Sequence, residues 1–327
     1  LMPAILLATP LNQRGFCPGR QFCLNIVELD TFQRVYNAIA EGLHGTHDSP
    51  RQSEGIGDNN FKAAELPILA LFDICNAFPS ISHAWLFAVL QCLGFSREII
   101  NIIKHLYSNC AAYSCGIGDE GLLFYVLAGV RTGCPLSAGL FILGFNPFVW
   151  LINFISDGPK LSKTCVCADD VGSCLRALKH LKVQYKIWKL ADRVANLCLK
   201  PSKCFLVVTK FVLSEGVKAA IRNWMIAEIP AWKDFQIVSS GKYLGVFLGV
   251  DGIRQTFDPV EAKYLSRCYD LSQNVATALP SVIRYNERCV PVFSYVAQVM
   301  LHHDFSKLKL LDQRGIHKIL KMPPNCM

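Results

Sequence analysis

Charge is scarce in this sequence: Asp, Glu, Lys and Arg make up 18% of 327 residues, against 52% hydrophobic. A chain this apolar is no disordered tail, and it is long enough for one large domain plus a smaller one. Cys-x-x-Cys and paired Cys/His spacings are missing, which excludes the usual structural zinc sites. The fifteen cysteines are odd in number, scattered and mostly set among apolar neighbours, as in residues 90–93. They read as reduced thiols of an intracellular protein. The opening LMPAILLATPLN has neither the basic start nor the small-residue end of a signal peptide. Internal repeats and low-complexity tracts are absent too, so solenoids and arrays are excluded.

What charge there is leans basic. Lys and Arg outnumber Asp and Glu 33 to 25, a net +8, which favours a polyanionic partner. Residues 132–156 form a charge-free run long enough to cross a membrane. Pro135, Asn146, Pro147 and Asn153 interrupt it and no basic cluster flanks it. A helix buried in a large core is therefore expected, without stable membrane association. A membrane protein built around this run is the competing reading.

The periodicity divides the chain into three. In residues 1–60, Leu29, Phe32, Tyr36, Ile39 and Leu43 recur at helical spacing, and the polar stretch 45–60 reads as a connecting loop. Residues 61–250 open with LPILALFDI, a short apolar strand ending near Asp73, followed by two helices, the second starting at Ser96. AAYSCGI and LLFYVLA flank GDEG as a hairpin. KTCVCA and VGSCL form a second, with Asp169 and Asp170 at its tip. A helix with Ile187, Leu190, Val194 and Leu197 follows, then strands near 205–208 and 243–248. This order predicts an α+β domain, an antiparallel sheet with helices on one face. Residues 251–327 carry helical patterns, including Lys307, Lys309, Arg314, Lys318 and Lys321 near the end, which could line a groove for a nucleic-acid backbone. His302 and His303 have no metal-ligand spacing.

Carboxylates at the ends of neighbouring strands are what phosphoryl transfer with divalent cations requires. Asp73 and the Asp169/Asp170 pair meet that description. Taken alone, an Asp-Asp turn is an ordinary solvated hairpin tip; the motifs around it change its weight. LALFDICNAF, GVRTGCPLSAGLF, CVCADD, ANLCLKPSKC and KYLGVFLG follow one another in that order, preceded by QRGFCPGRQFCLNI at residues 13–26. In this order they resemble the palm motifs of reverse transcriptases, most closely those of non-LTR (LINE-type) retrotransposons. The resemblance covers residues 13–250 and implies a right-hand polymerase palm with partial fingers and a small helical thumb.

By that resemblance, Asp73 and Asp169 would be metal ligands, with Asp170 a supporting acid. Two Mg²⁺ ions, or Mn²⁺, are the implied cofactors. Phe78, five residues after Asp73, matches the aromatic ring that excludes a 2′-hydroxyl and so selects deoxynucleotides. Arg131, Thr132 and Gly133 match nucleotide-contacting positions, with Thr132 where the family usually has Gln, and Pro135 adjoins them. Lys203 matches the lysine that would serve departing pyrophosphate; a surface lysine beside a Pro turn is the plain alternative. Tyr243, Leu244 and Gly245 match the hairpin that grips the primer, and Arg20 the finger cation that binds template or triphosphate. Cys167 stands where the family more often has Tyr or Phe.

The resemblance implies an RNA template, a DNA primer, deoxynucleotides and the remainder of a retrotransposon polyprotein, with its endonuclease, as partners, in an intracellular, nuclear setting. The residues before Gln13 lack the Arg or Lys expected of a full finger region. A fragment is expected on that ground, and an inactive nucleic-acid-binding remnant is the alternative to a polymerase core.

Overall fold

The computed structural model describes residues 2–42, 62–114, 121–156, 160–210, 212–273, 277–302 and 304–321. Leu43, the polar stretch 45–60, most of GDEG and His303 lie outside them. The chain forms two compact units, Leu1–Val238 and Ser239–Met327.

In the first unit the elements run α1 (Met2–Leu7), α2 (Cys23–Gly42), β1 (Ile68–Phe72), α3 (Ala77–Ser80), α4 (His83–Cys92) and α5 (Arg97–Tyr107). Then come β2 (Ala111–Tyr113), β3 (Leu122–Tyr125), α6 (Ser137–Ile155), β4 (Ser162–Cys167) and β5 (Asp170–Leu175). α7 (Leu181–Ala195), β6 (Phe205–Val207), α8 (Glu215–Glu228) and β7 (Gln236–Val238) complete it. The sheet order is β4-β5-β1-β6-β7, with β1 at the centre. Every residue of β1 is buried, which is why its sequence is an apolar run and not an alternation. Its pairings with β5 and β6 are antiparallel, as expected, but β7 joins β6 in parallel.

Ile68, Ala70 and Phe72 point to one face, where Phe72 meets Trp188 of α7 at 5.4 Å between ring centroids. That core takes in Leu86 of α4 and Phe141, Phe145 and Phe148 of α6. α6 is long and apolar enough to cross a membrane, yet 61% of its apolar window is buried inside the protein. Asn146, the polar residue in its middle, donates to the Ala8 carbonyl at 3.1 Å, so burial leaves its amide nitrogen satisfied.

Helices were expected on one face alone. α2 departs from this and covers the other: Cys174 of β5 donates to the Leu29 carbonyl at 3.0 Å, and Lys163 of β4 pairs with Glu28 at 2.9 Å. The segment before α2 also joins the sheet. Arg14 N–H donates to the Val166 carbonyl and Val166 N–H to the Asn12 carbonyl, both at 2.8 Å, a parallel bridge on the outer edge of β4.

The second unit begins with β8 (Ser240–Tyr243) and β9 (Val246–Gly249), then α9 (Gly252–Ser272), α10 (Ala278–Arg288), α11 (Pro291–Val299) and α12 (Phe305–Leu320). The strand expected over 243–248 from its periodicity turns at Leu244 and Gly245, both at positive φ, into a two-residue hairpin at the position where the resemblance implies one. This hairpin belongs with the helices, so the boundary falls ahead of the expected 250/251: Phe247 N–H donates to Thr256 Oγ1 of α9 at 2.8 Å. Tyr264, Cys268, Leu271, Tyr285, Cys289 and Ile319 form the core. Of the basic set on α12, Lys307 pairs with Glu261 at 2.6 Å and Lys318 lies over the Tyr269 ring at 4.6 Å. His302 is buried against Glu261 at 2.9 Å, an internal contact with no metal character.

Candidate active site

β1 and β5 pair so that Phe72 faces Val171. Asp73 follows Phe72 and Asp170 precedes Val171, so continuing the register by one residue brings the two acids together, and the Asp73 charge acts on Asp170. β4 and β5 pair so that Cys167 faces Asp170, which leaves Ala168 and Asp169 as a two-residue turn. Asp169 therefore sits in the turn and Asp170 opens the strand, where the sequence reading put both at the tip. The three acids gather at one end of the sheet although they come from distant parts of the chain.

Their electrostatics fit that placement. Burial and the neighbouring Asp169 and Asp73 carboxylates push Asp170 up to about 6. Asp169 is raised as well, by burial and then by Asp73, against the lowering effect of its own backbone N–H. Like charges held this close favour a proton or a cation among them. Burial, with Asp170 and Asp169 beside it, pushes the Cys167 thiol up to about 12, so it stays neutral and is no nucleophile.

The donor set is all carboxylate oxygen, the chemistry of a hard divalent cation. Among the described residues no three acidic, His or Cys side chains close into a ready-made cage. On donor chemistry alone these carboxylates suit a hard divalent cation.

Lys203 lies with its Nζ 4.0 Å from Asp73 Oδ2. The LKPSKC turn that carries it is tied to the end of β1: Lys200 N–H donates to the Asp73 carbonyl and Cys75 N–H to the Cys198 carbonyl, both at 2.9 Å.

Phe78 sits in α3, half-buried, stacked on Phe141 at 4.5 Å and 16° and met edge-on by Phe16 at 6.3 Å. The GVRTGCPLS loop is fastened to the same short helix, since Val130 N–H donates to the Phe78 carbonyl at 2.7 Å. Gly129 is required there: at φ +84° a Cβ would lie 2.2 Å from the Pro79 carbonyl oxygen. Beyond it Arg131, Thr132 and Gly133 are exposed. Arg131 donates to the Leu106 carbonyl at 2.7 Å, which anchors it to the end of α5. Gly133 has φ +88° but open space around the missing Cβ, so its backbone angle, and no packed neighbour, calls for glycine. Pro135 precedes α6 and does not enter its first turn, as Leu136 is the cap.

Arg20 takes a different place from the one expected. Its guanidinium donates to the carbonyls of Pro10, Gln13, Thr9 and Leu6, at 2.5, 2.7, 3.0 and 3.4 Å. Those bonds tie the N-terminal segment together around its guanidinium. Tyr243, Leu244 and Gly245 belong to the second unit, where Tyr295 donates to the Leu244 carbonyl and Tyr243 is buried.

Residues 21–248 match the family model for reverse transcriptase (RNA-dependent DNA polymerase). The chain belongs to the reverse transcriptase family. It is 29% identical over 255 residues to the transposon TX1 uncharacterized 149 kDa protein of Xenopus laevis, covering 72% of this chain and 18% of that protein. It is also 26% identical over 147 residues to the retrovirus-related Pol polyprotein from the type-2 retrotransposable element R2DM of Drosophila melanogaster, covering 43% and 14%. These relatives bear out the resemblance to non-LTR retrotransposon reverse transcriptases. The chain spans less than a fifth of the length of either. Among solved structures, apo telomerase from Candida tropicalis has a TM-score of 0.44 at 10% identity, covering 90% of this chain and 49% of that one. Telomerase from Candida albicans, in complex with a TWJ fragment of telomeric RNA, has 0.41 at 10%, covering 90% and 48%. Likenesses this distant carry nothing about the chemistry of the reverse transcriptase described here.

Proposed function

We propose that this chain is the catalytic core of a retrotransposon polyprotein and makes DNA on an RNA template, adding deoxynucleotides to a DNA primer. The observation that carries this reading is the register that sets Asp73 beside Asp170, with Asp169 in the adjoining turn. In the reaction, a bond forms between the primer 3′-oxygen and the α-phosphorus, the bond to pyrophosphate breaks, and the hydroxyl proton is released. Two Mg²⁺ ions, or Mn²⁺ in their place, would lower the pKa of that hydroxyl and neutralise the triphosphate.

Asp73 and Asp169 would hold these ions, and Asp170 adds negative charge beside them. Phe78, braced on Phe141, closes the space that a 2′-hydroxyl would need. Lys203 brings an ammonium to the Asp73 side of the centre, where it can neutralise or protonate pyrophosphate as it departs. Arg131, Thr132 and Gly133 face the nucleotide in this reading; Pro135, Tyr243, Leu244 and Gly245 support template and primer. The polyprotein context is supported by the name of the Drosophila relative; an endonuclease elsewhere in it and a nuclear place of action are further parts of the same proposal.

Primer extension on an RNA template, with Mg²⁺ and deoxynucleotides, tests it. The chain should extend the primer, and Asp169→Ala should abolish extension. Equal extension by Asp169→Ala sinks the assignment. Retained RNA binding without extension by the folded wild-type chain favours an inactive remnant.

A further inference from the structure

The residues before α2 do more than border the sheet. Gln13 is fully buried, and an amide in that position costs free energy unless every polar atom is used. Both are: Oε1 accepts from Ala168 N–H at 2.9 Å and from Gly15 N–H at 3.0 Å, while Nε2 donates to the Ala168 carbonyl at 3.4 Å. One side chain thus holds both backbone polar groups of the residue that immediately precedes Asp169.

Ala168 needs such a hold. It sits at φ +56°, a left-handed conformation that costs a non-glycine residue roughly 1 kcal/mol and persists only where surroundings impose it. Gly15 presses on the same point, since a Cβ there would lie 2.3 Å from the Ala168 nitrogen and 2.7 Å from the Cys167 carbonyl carbon. The segment cannot slide, because its bonds to Val166 fix the register and Arg20 gathers four of its carbonyls. Asn25 adds a further bond to the Val166 carbonyl at 3.0 Å.

We infer that Gln13 is a positioning residue for the catalytic turn: its carboxamide sets the direction in which the Asp169 carboxylate points. The inference rests on the functional reading above, because it assumes that Asp169 holds a cation. The residue lies ahead of the 21–248 family match, so the match does not supply the role. Groups that orient a metal ligand without touching the metal typically change affinity or activity about 10- to 100-fold when removed.

The test measures Mn²⁺ binding by electron paramagnetic resonance, together with kcat and the deoxynucleotide KM, in the full chain. Gln13→Met keeps the length and removes the bonds. It should weaken Mn²⁺ binding about 10-fold and lower kcat by a similar factor, with KM changed less than about twofold. Asn12→Ala is the control: its amide bonds Asn153 and the Thr164 carbonyl and does not touch the turn. It should lose stability while keeping Mn²⁺ affinity. Equal Mn²⁺ affinities in Gln13→Met and Asn12→Ala overturn the inference. If Gln13→Met does not fold, amide exchange in the wild-type chain decides: a slow Ala168 N–H supports the grip and a fast one refutes it. Asp169→Asn separates the two levels of argument. If it leaves Mn²⁺ binding intact, the functional reading fails; if it abolishes binding while Gln13→Met does not weaken it, the positioning role alone fails.

Discussion

Lys203 stands 4.0 Å from the carboxylate of Asp73, with both side chains substantially exposed. An ion pair in that setting adds under about 1 kcal/mol to stability. In the proposed reaction its value would lie elsewhere: the ammonium would neutralise negative charge accumulating on a leaving phosphate. Lys203→Ala should therefore cut kcat roughly 100-fold while leaving the unfolding midpoint nearly unchanged, and Lys203→Arg should restore part of the rate. Single-turnover primer extension checks this. A rate within twofold of wild type would return Lys203 to the status of a surface lysine.

Phe78 is stacked on Phe141 and met edge-on by Phe16, contacts that would hold its ring in place against an intruding hydroxyl in the proposed role. Phe78→Val should admit ribonucleotides, reducing the preference for deoxynucleotides by about 10-fold or more. Competition between the two nucleotide types at fixed template measures the ratio, and unchanged discrimination rules the gate out.

Asp170 holds its proton more tightly in the folded chain, to about 6, than its ordinary value of 3.8. Between about pH 4 and 6 the folded state thus binds more protons than the unfolded one, and stability falls as pH rises through that window. At pH 7 the whole penalty is present. In EDTA, Asp170→Asn should raise Tm at pH 7 by about 1–2 °C, a small value because the group is partly screened by solvent. The gain should shrink toward pH 4. A gain independent of pH would mean that the acids do not repel one another as described.

Two glycines of one loop differ in what they exclude. Gly129→Ala meets both a left-handed backbone and the Pro79 carbonyl, and should cost about 3 kcal/mol or more. Gly133→Ala meets only the backbone penalty, roughly 1 kcal/mol. Urea midpoints of the two variants give the comparison, and equal losses would contradict it.

Much of this architecture is legible in the residues. The apolar run of β1, the Asp-bearing hairpin and the Ser96 start of α5, whose side chain accepts from Ile99 N–H, are written in side chains. The charge-free, mostly apolar pattern of α6 also predicts its buried place. Other features were less accessible. Residues 12–15 attach to β4 through backbone groups, which leave no periodicity to read. The parallel pairing of β7 and the placement of α2 on the far face depend on which surfaces remain open after the core forms. Arg20 drew attention as a cation, yet its donors serve carbonyls that any sequence would supply. Gln13, Gly15 and Phe16 lie inside the QRGF motif, but with Asn12 and Arg14 on either side of it Gln13 carries no local sign of burial.

The meeting of Asp73 and Asp170 depends on strand pairing counted residue by residue along β1 and β5. One residue inserted between Val171 and Leu175 would turn the acid to the opposite side of the sheet or send apolar side chains into water. These strands can exchange one aliphatic residue for another with modest loss, but they cannot change length. Variation by insertion and deletion is therefore barred from the centre of this sheet and left to the connections between its elements.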